Sequence, residues 1–72
     1  MRKITFLDDV ELVLEQKTDS SETKIRLFKK GEMVDVEEIV FTNDNSKNWF
    51  DIVFPRETGW IATGVHKSVF QA

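Results

Sequence analysis

The sequence predicts an all-β fold, a small barrel of five or six short antiparallel strands. Three observations point there. Valine, isoleucine and threonine supply 19 of 72 residues and Phe with Trp another 8, whereas alanine occurs only at Ala62 and Ala72. Stiff β-branched and aromatic side chains suit a pleated, half-buried surface better than a helix. Apolar residues recur with period 2 in several short stretches, each bounded by polar or glycine-containing segments. The chain is also short enough for one domain only, residues 1–72, and has no cysteine to brace a thin core with disulfides or thiolate-bound metal.

Taken in order, Ile4 and Phe6 alternate, as do Val10, Leu12 and Leu14, with Asp8-Asp9 between the two sets. Leu7, Val10 and Leu14 also fit a helix at i, i+3, i+7, but composition and the need for pairing partners favour strands. Lys17 to Thr23 is a polar loop. Lys24 to Phe28 reads as a strand with Ile25 and Leu27 inward, and Lys29 to Glu32 as a turn with Gly31 available for positive φ. Met33 to Val36 alternates; the Glu37-Glu38 pair then slips the pattern by one residue, as a bulge does, before Ile39-Val40-Phe41. Thr42 to Asn48 is uniformly polar and reads as the best loop in the chain. Trp49 to Phe54 puts Phe50, Ile52 and Phe54 on one face and Trp49 on the other, with Asp51 and Val53. Pro55 removes a ladder donor and ends that strand, and Arg56 to Gly59 is a tight turn. Trp60-Ile61-Ala62 is a short strand, and Val65 to Phe70 holds a single helical turn and a last strand.

Three pieces of this order carry a family likeness. Leu27-Phe28-Lys29-Lys30-Gly31-Glu32 precedes the alternating Met33-Val34-Asp35-Val36; Asn48-Trp49-Phe50 closes a polar loop with two aromatics; Gly59-Trp60-Ile61 follows a hairpin. Over roughly residues 25 to 70 the chain resembles an SH3-like barrel, with Gln16 to Lys24 where such domains carry a long first loop. His66-Lys67-Ser68-Val69-Phe70 is similar to the tail of bacterial SH3-like domains if Ala62 to Val65 counts as an insertion. The resemblance implies the fold and a generic protein-interaction role. It argues against proline-rich peptides as ligands. The chain has no tyrosine, and Ala62 stands where the eukaryotic groove has proline, so the row of flat faces that a polyproline helix packs against is reduced to Trp49.

The remaining residues narrow the function. A net charge of −3 argues against nucleic acid and anionic membranes as partners. No apolar run approaches the length of a membrane span or a secretory signal, which with the lack of cysteine points to the cytoplasm. The Met1 start and absence of a linker suggest a free-standing monomeric accessory protein, of a size familiar among phage-derived factors. No enzyme, metal or cofactor site is expected. His66 is the only histidine, and no Gly-x-Ser-x-Gly elbow is present. The carboxylates of Asp8-Asp9 and Glu37-Glu38 point to opposite faces of a strand, and Asn43-Asp44-Asn45 lacks the glycine and distal glutamate of a calcium loop. A non-catalytic protein-interaction module is therefore expected, with Trp49 and Trp60 as aromatic anchors and Asp19 and Glu22 as acidic complements to a basic partner. The rival readings are a nucleic-acid-associated barrel using Lys24, Arg26, Lys29 and Lys30, and a structural subunit whose edge strand completes a neighbour's sheet.

Overall fold

A computed structural model describes residues 2–16, 18, 21–43, 45–55 and 57–72. They form an all-β domain of eight strands: β1 (Arg2–Phe6), β2 (Val10–Gln16), β3 (Thr23–Phe28), β4 (Met33–Val36), β5 (Glu38–Asn43), β6 (Ser46–Val53), β7 (Trp60–His66) and β8 (Phe70–Gln71). A 3-10 turn over Lys67–Val69 precedes the last strand, and no α-helix occurs among the described residues. Residues 7–15, the stretch open to a helical reading, contain no helix: 7–9 connect β1 to β2 and 10–15 lie in strand β2, with Leu12 and Leu14 buried and Val13 exposed between them.

All pairing is antiparallel, in two sheets of order β4-β1-β8 and β3-β2-β7-β6-β5. The slip at Glu37-Glu38 is the corner where the chain leaves one sheet for the other. There the Glu37 N–H donates to the Val53 carbonyl at 2.7 Å, β4 pairs with β1, and β5 pairs with β6. The split of this one segment and the separate two-residue β8 bring the count to eight, above the five or six expected from the sequence. Among the described residues no pairing joins β3 to β4, and the barrel is not closed.

The two sheets press Ile4, Phe6, Val36 and Phe70 against Leu12, Leu14, Phe28, Ile52, Phe54, Ala62 and Val65. Phe28 is stacked between Phe6, 4.4 Å between ring centroids, and Phe54, 5.9 Å away. Offset aromatic contacts of this kind add about 0.5–1.5 kcal/mol each beyond the area they bury.

Strand β3 corrects the expected inward placement of Ile25 and Leu27. They are 68% and 49% exposed, and Phe28 is wholly buried. Directly opposed antiparallel residues share a face, and the register sets Leu12 opposite Arg26 and Leu14 opposite Lys24. With Leu12 and Leu14 in the core, Lys24, Arg26 and Phe28 must take the core side of β3.

The polar stretch from Thr42 to Asn48 is likewise not a long loop. β5 runs to Asn43 and β6 starts at Ser46, where these two residues pair. The Asn43 side-chain oxygen accepts the Asn45 N–H at 2.9 Å, closing a tight hairpin. Downstream, the turn after Pro55 is as expected, with Thr58 N–H bonded to the Pro55 carbonyl at 2.9 Å and Gly59 at φ +73°.

Candidate functional site

Between β3 of the five-stranded sheet and β4 of the three-stranded sheet lies a groove of about 370 Å³. Leu14, Phe54 and Trp60 line it from the larger sheet and its following turn, Lys24 and Arg26 flank it from β3, and Val34 and Asp35 flank it from β4. Pro55 and Thr58 close one end.

Both cations lie on aromatic rings. The Lys24 ammonium sits 4.5 Å from the Trp60 ring centroid and the Arg26 guanidinium 4.4 Å from that of Phe28. Such contacts contribute about 0.5–1 kcal/mol at exposed sites, and the long stems shelter the apolar surface beneath them. Arg26 is further held by Glu32, with Nη2 donating to Oε2 at 3.2 Å, while Glu32 Oε1 accepts the Lys29 N–H at 3.0 Å and ties down the turn. Across the groove Asp35 is engaged by Lys3 Nζ at 2.7 Å. Lys24 has no carboxylate partner among the described residues. The groove therefore offers an apolar floor, one guanidinium already paired and one ammonium not so paired.

The residues singled out from the sequence do not converge. Trp60 is half-buried beneath Lys24, and Glu22 is exposed at the same end of the sheet, where its carbonyl accepts the Gln16 N–H at 3.0 Å and Gln16 pairs with Trp60. Asp19 lies outside the described residues. Trp49 pairs with His66 at the far end of β7, six residues from Trp60, a separation of about 20 Å at strand spacing. It is 44% exposed, on the face away from the core, with its ring edge-on to His66 at 4.7 Å. The four basic residues of the nucleic-acid reading are divided too. Lys24 and Arg26 flank the groove, while Lys29 and Lys30 sit in the turn among acids, the Lys30 N–H bonded to Asp9 Oδ1 at 2.8 Å.

The Thr58 hydroxyl donates to the Pro55 carbonyl at 2.8 Å. His66 lies outside the groove lining, its Nδ1 accepting the Ser68 N–H at 3.1 Å as the cap of the 3-10 turn. Among the described residues no group of three His, Cys, Asp or Glu side chains is placed to hold a metal ion.

Sequence reasoning missed the groove because it turned β3 over. One signal was present. Ile25, Leu27 and Phe28 cannot share a face, and the large aromatic is the residue a small core most needs. No family model, curated protein or solved structure matches the chain.

Proposed function

We propose that the protein is a non-catalytic protein-interaction module of SH3-like type, working in the cytoplasm, and that the groove beside β3 is its ligand site. The observation that carries this reading is the Lys24 ammonium over Trp60 on an apolar floor, without a carboxylate partner among the described residues. A cation, a half-buried indole and a concave apolar surface together suit a polypeptide with both apolar and acidic groups. The SH3-like assignment is supported by the corner at Glu37 and by the 3-10 turn leading into the final strand. The location is supported by the absence of cysteine. No helix among the described residues is long and apolar enough to cross a membrane. A nucleic-acid ligand is disfavoured because Asp35, Glu32 and Asp9 are interspersed among the basic residues.

Photo-crosslinking tests the reading. A benzophenone amino acid replaces Thr58 at the groove or, as control, exposed Lys67, and each protein is irradiated in lysate of the native host. Protease-sensitive adducts at position 58 and not at 67 are expected. Adducts sensitive only to nuclease would overturn the proposal, and so would equal polypeptide labelling at both sites.

A further inference from the structure

The groove opens along β3, and among the described residues β3 has one unpaired edge. In the larger sheet it is the first strand, and the described residues pair it with β2 alone. The Gln16 N–H to Glu22 carbonyl bond sets the phase of that ladder. In an antiparallel pair every second residue exchanges backbone bonds with its partner, so Lys24, Arg26 and Phe28 turn their N–H and C=O groups toward β2. Thr23, Ile25 and Leu27 turn theirs outward.

The two faces of this edge differ. On the outer face Ile25 is 68% exposed beside Val13, its partner on β2, itself 55% exposed, with Leu27 at 49%. On the groove face stand Lys24 and Arg26. β3 carries no acidic residue. Pairing of β3 with a second copy of itself about Ile25 would set Lys24 opposite the partner's Arg26, and like charges directly opposed in a sheet are destabilising. Edge lysines commonly serve to block such self-association. Here they also specify what does fit.

Resting on the interaction-module reading, we infer that the ligand is an extended segment of another protein, added as a strand to the open edge of β3. Its acidic residues face Lys24 and Arg26 in the groove and alternate with aliphatic residues that cover Ile25 and Leu27. Main-chain bonds to Ile25 and Leu27 supply general affinity, and the alternation supplies selection.

The test is a titration of the ¹⁵N-labelled protein with the peptide acetyl-Thr-Glu-Val-Glu-Ile-Glu-Val-Thr-amide. Two control peptides carry lysine in place of glutamate, or N-methyl groups at the aliphatic positions, whose amides would pair with β3. The expected result is a saturable shift of the β3 resonances with the acidic peptide, lost with either control, together with new exchange protection at Ile25 and Leu27. Lys24→Glu should weaken binding about fivefold, as expected when an opposed-charge pair becomes a like-charge pair. Ile25→Pro removes an outward N–H without touching the β2 ladder and should abolish binding while core resonances such as Ile52 and Val65 stay in place. Should Ile25→Pro fail to fold, the N-methylated peptide carries the same test. Equal binding of acidic and N-methylated peptides, with shifts confined to Trp60, Thr58 and Val34, would overturn strand addition and leave the groove reading standing. No saturable response to the acidic peptide at millimolar concentration would also overturn it, and the crosslinks at position 58 would then judge the module reading separately. Protection at Ile25 and Leu27 that rises with protein concentration alone would replace the inferred ligand by a second copy. β3 shifts produced by a single-stranded oligonucleotide and not by peptide would replace it by nucleic acid.

Discussion

Truncating Phe28 and Ile25 to alanine, one at a time, tests the facing of β3 on which the groove depends. Phe28 has no exposed surface and stacks 4.4 Å from Phe6 and 5.9 Å from Phe54. Removing a core phenylalanine costs about 3–5 kcal/mol. A 72-residue domain has about 4–11 kcal/mol in total, at about 0.05–0.15 kcal/mol per residue. Phe28→Ala should therefore bring the protein close to its unfolding threshold. Ile25 is 68% exposed, so only about a third of its burial contribution is at stake. Against the about 1.5–3 kcal/mol for full burial, Ile25→Ala should cost about 0.5–1 kcal/mol. Urea denaturation followed by tryptophan fluorescence and far-UV circular dichroism reads both. A cost of 3 kcal/mol or more for Ile25→Ala, with under 1 for Phe28→Ala, would turn β3 over, take Lys24 and Arg26 off the groove and refute the site.

Further predictions concern separate parts of the fold. Trp49→Ala should cost less than about 1.5 kcal/mol, the range of a surface change, and in Trp60→Phe the remaining Trp49 emission should be readily quenched by iodide; a loss of 3 kcal/mol or a protected emission would place Trp49 in the core. Gly59→Ala should cost about 1–2 kcal/mol, because φ is +73° and the new Cβ would lie 2.7 Å from Gln16 Oε1, a side-chain end that can move aside. Gly31→Ala, at φ +86° in open space, should show the backbone penalty alone, about 1 kcal/mol in the same melts. Asp35→Asn breaks the Lys3 pair, whose side chains are 62% and 48% exposed, and should cost at most about 1 kcal/mol, shrinking as salt is added.

What the sequence makes legible depends on whether one parity alone can be buried. Ile4 with Phe6, Leu12 with Leu14, and Phe50 with Ile52 and Phe54 each leave a single choice of inner face, and all these residues are buried or half-buried. Trp49 follows from the same parity, but Val53, expected beside it on the outer face, is buried at the end of β6. Residues 24–28 are different. Ile25 and Leu27 argue for one parity and Phe28 for the other, and only the pairing with Leu12 and Leu14 decides. The Thr42 to Asn48 stretch misleads for another reason. Hydropathy reports burial, not backbone hydrogen bonding, and this hairpin end is paired while most of its residues stay exposed. The groove was illegible because Lys24 meets Trp60 only when β2 brings β3 and β7 to its two sides.

Amide hydrogen exchange of the free protein, read residue by residue along β3, tests the central claim most directly. With β3 an open edge whose cations flank the groove, the amides of Lys24, Arg26 and Phe28 should be protected by β2, while those of Thr23, Ile25 and Leu27 exchange at near-unprotected rates. Uniform protection along the strand would mean that the edge is already covered. Protection at the odd-numbered residues alone would mean that the ladder phase is inverted, and either result would contradict the account.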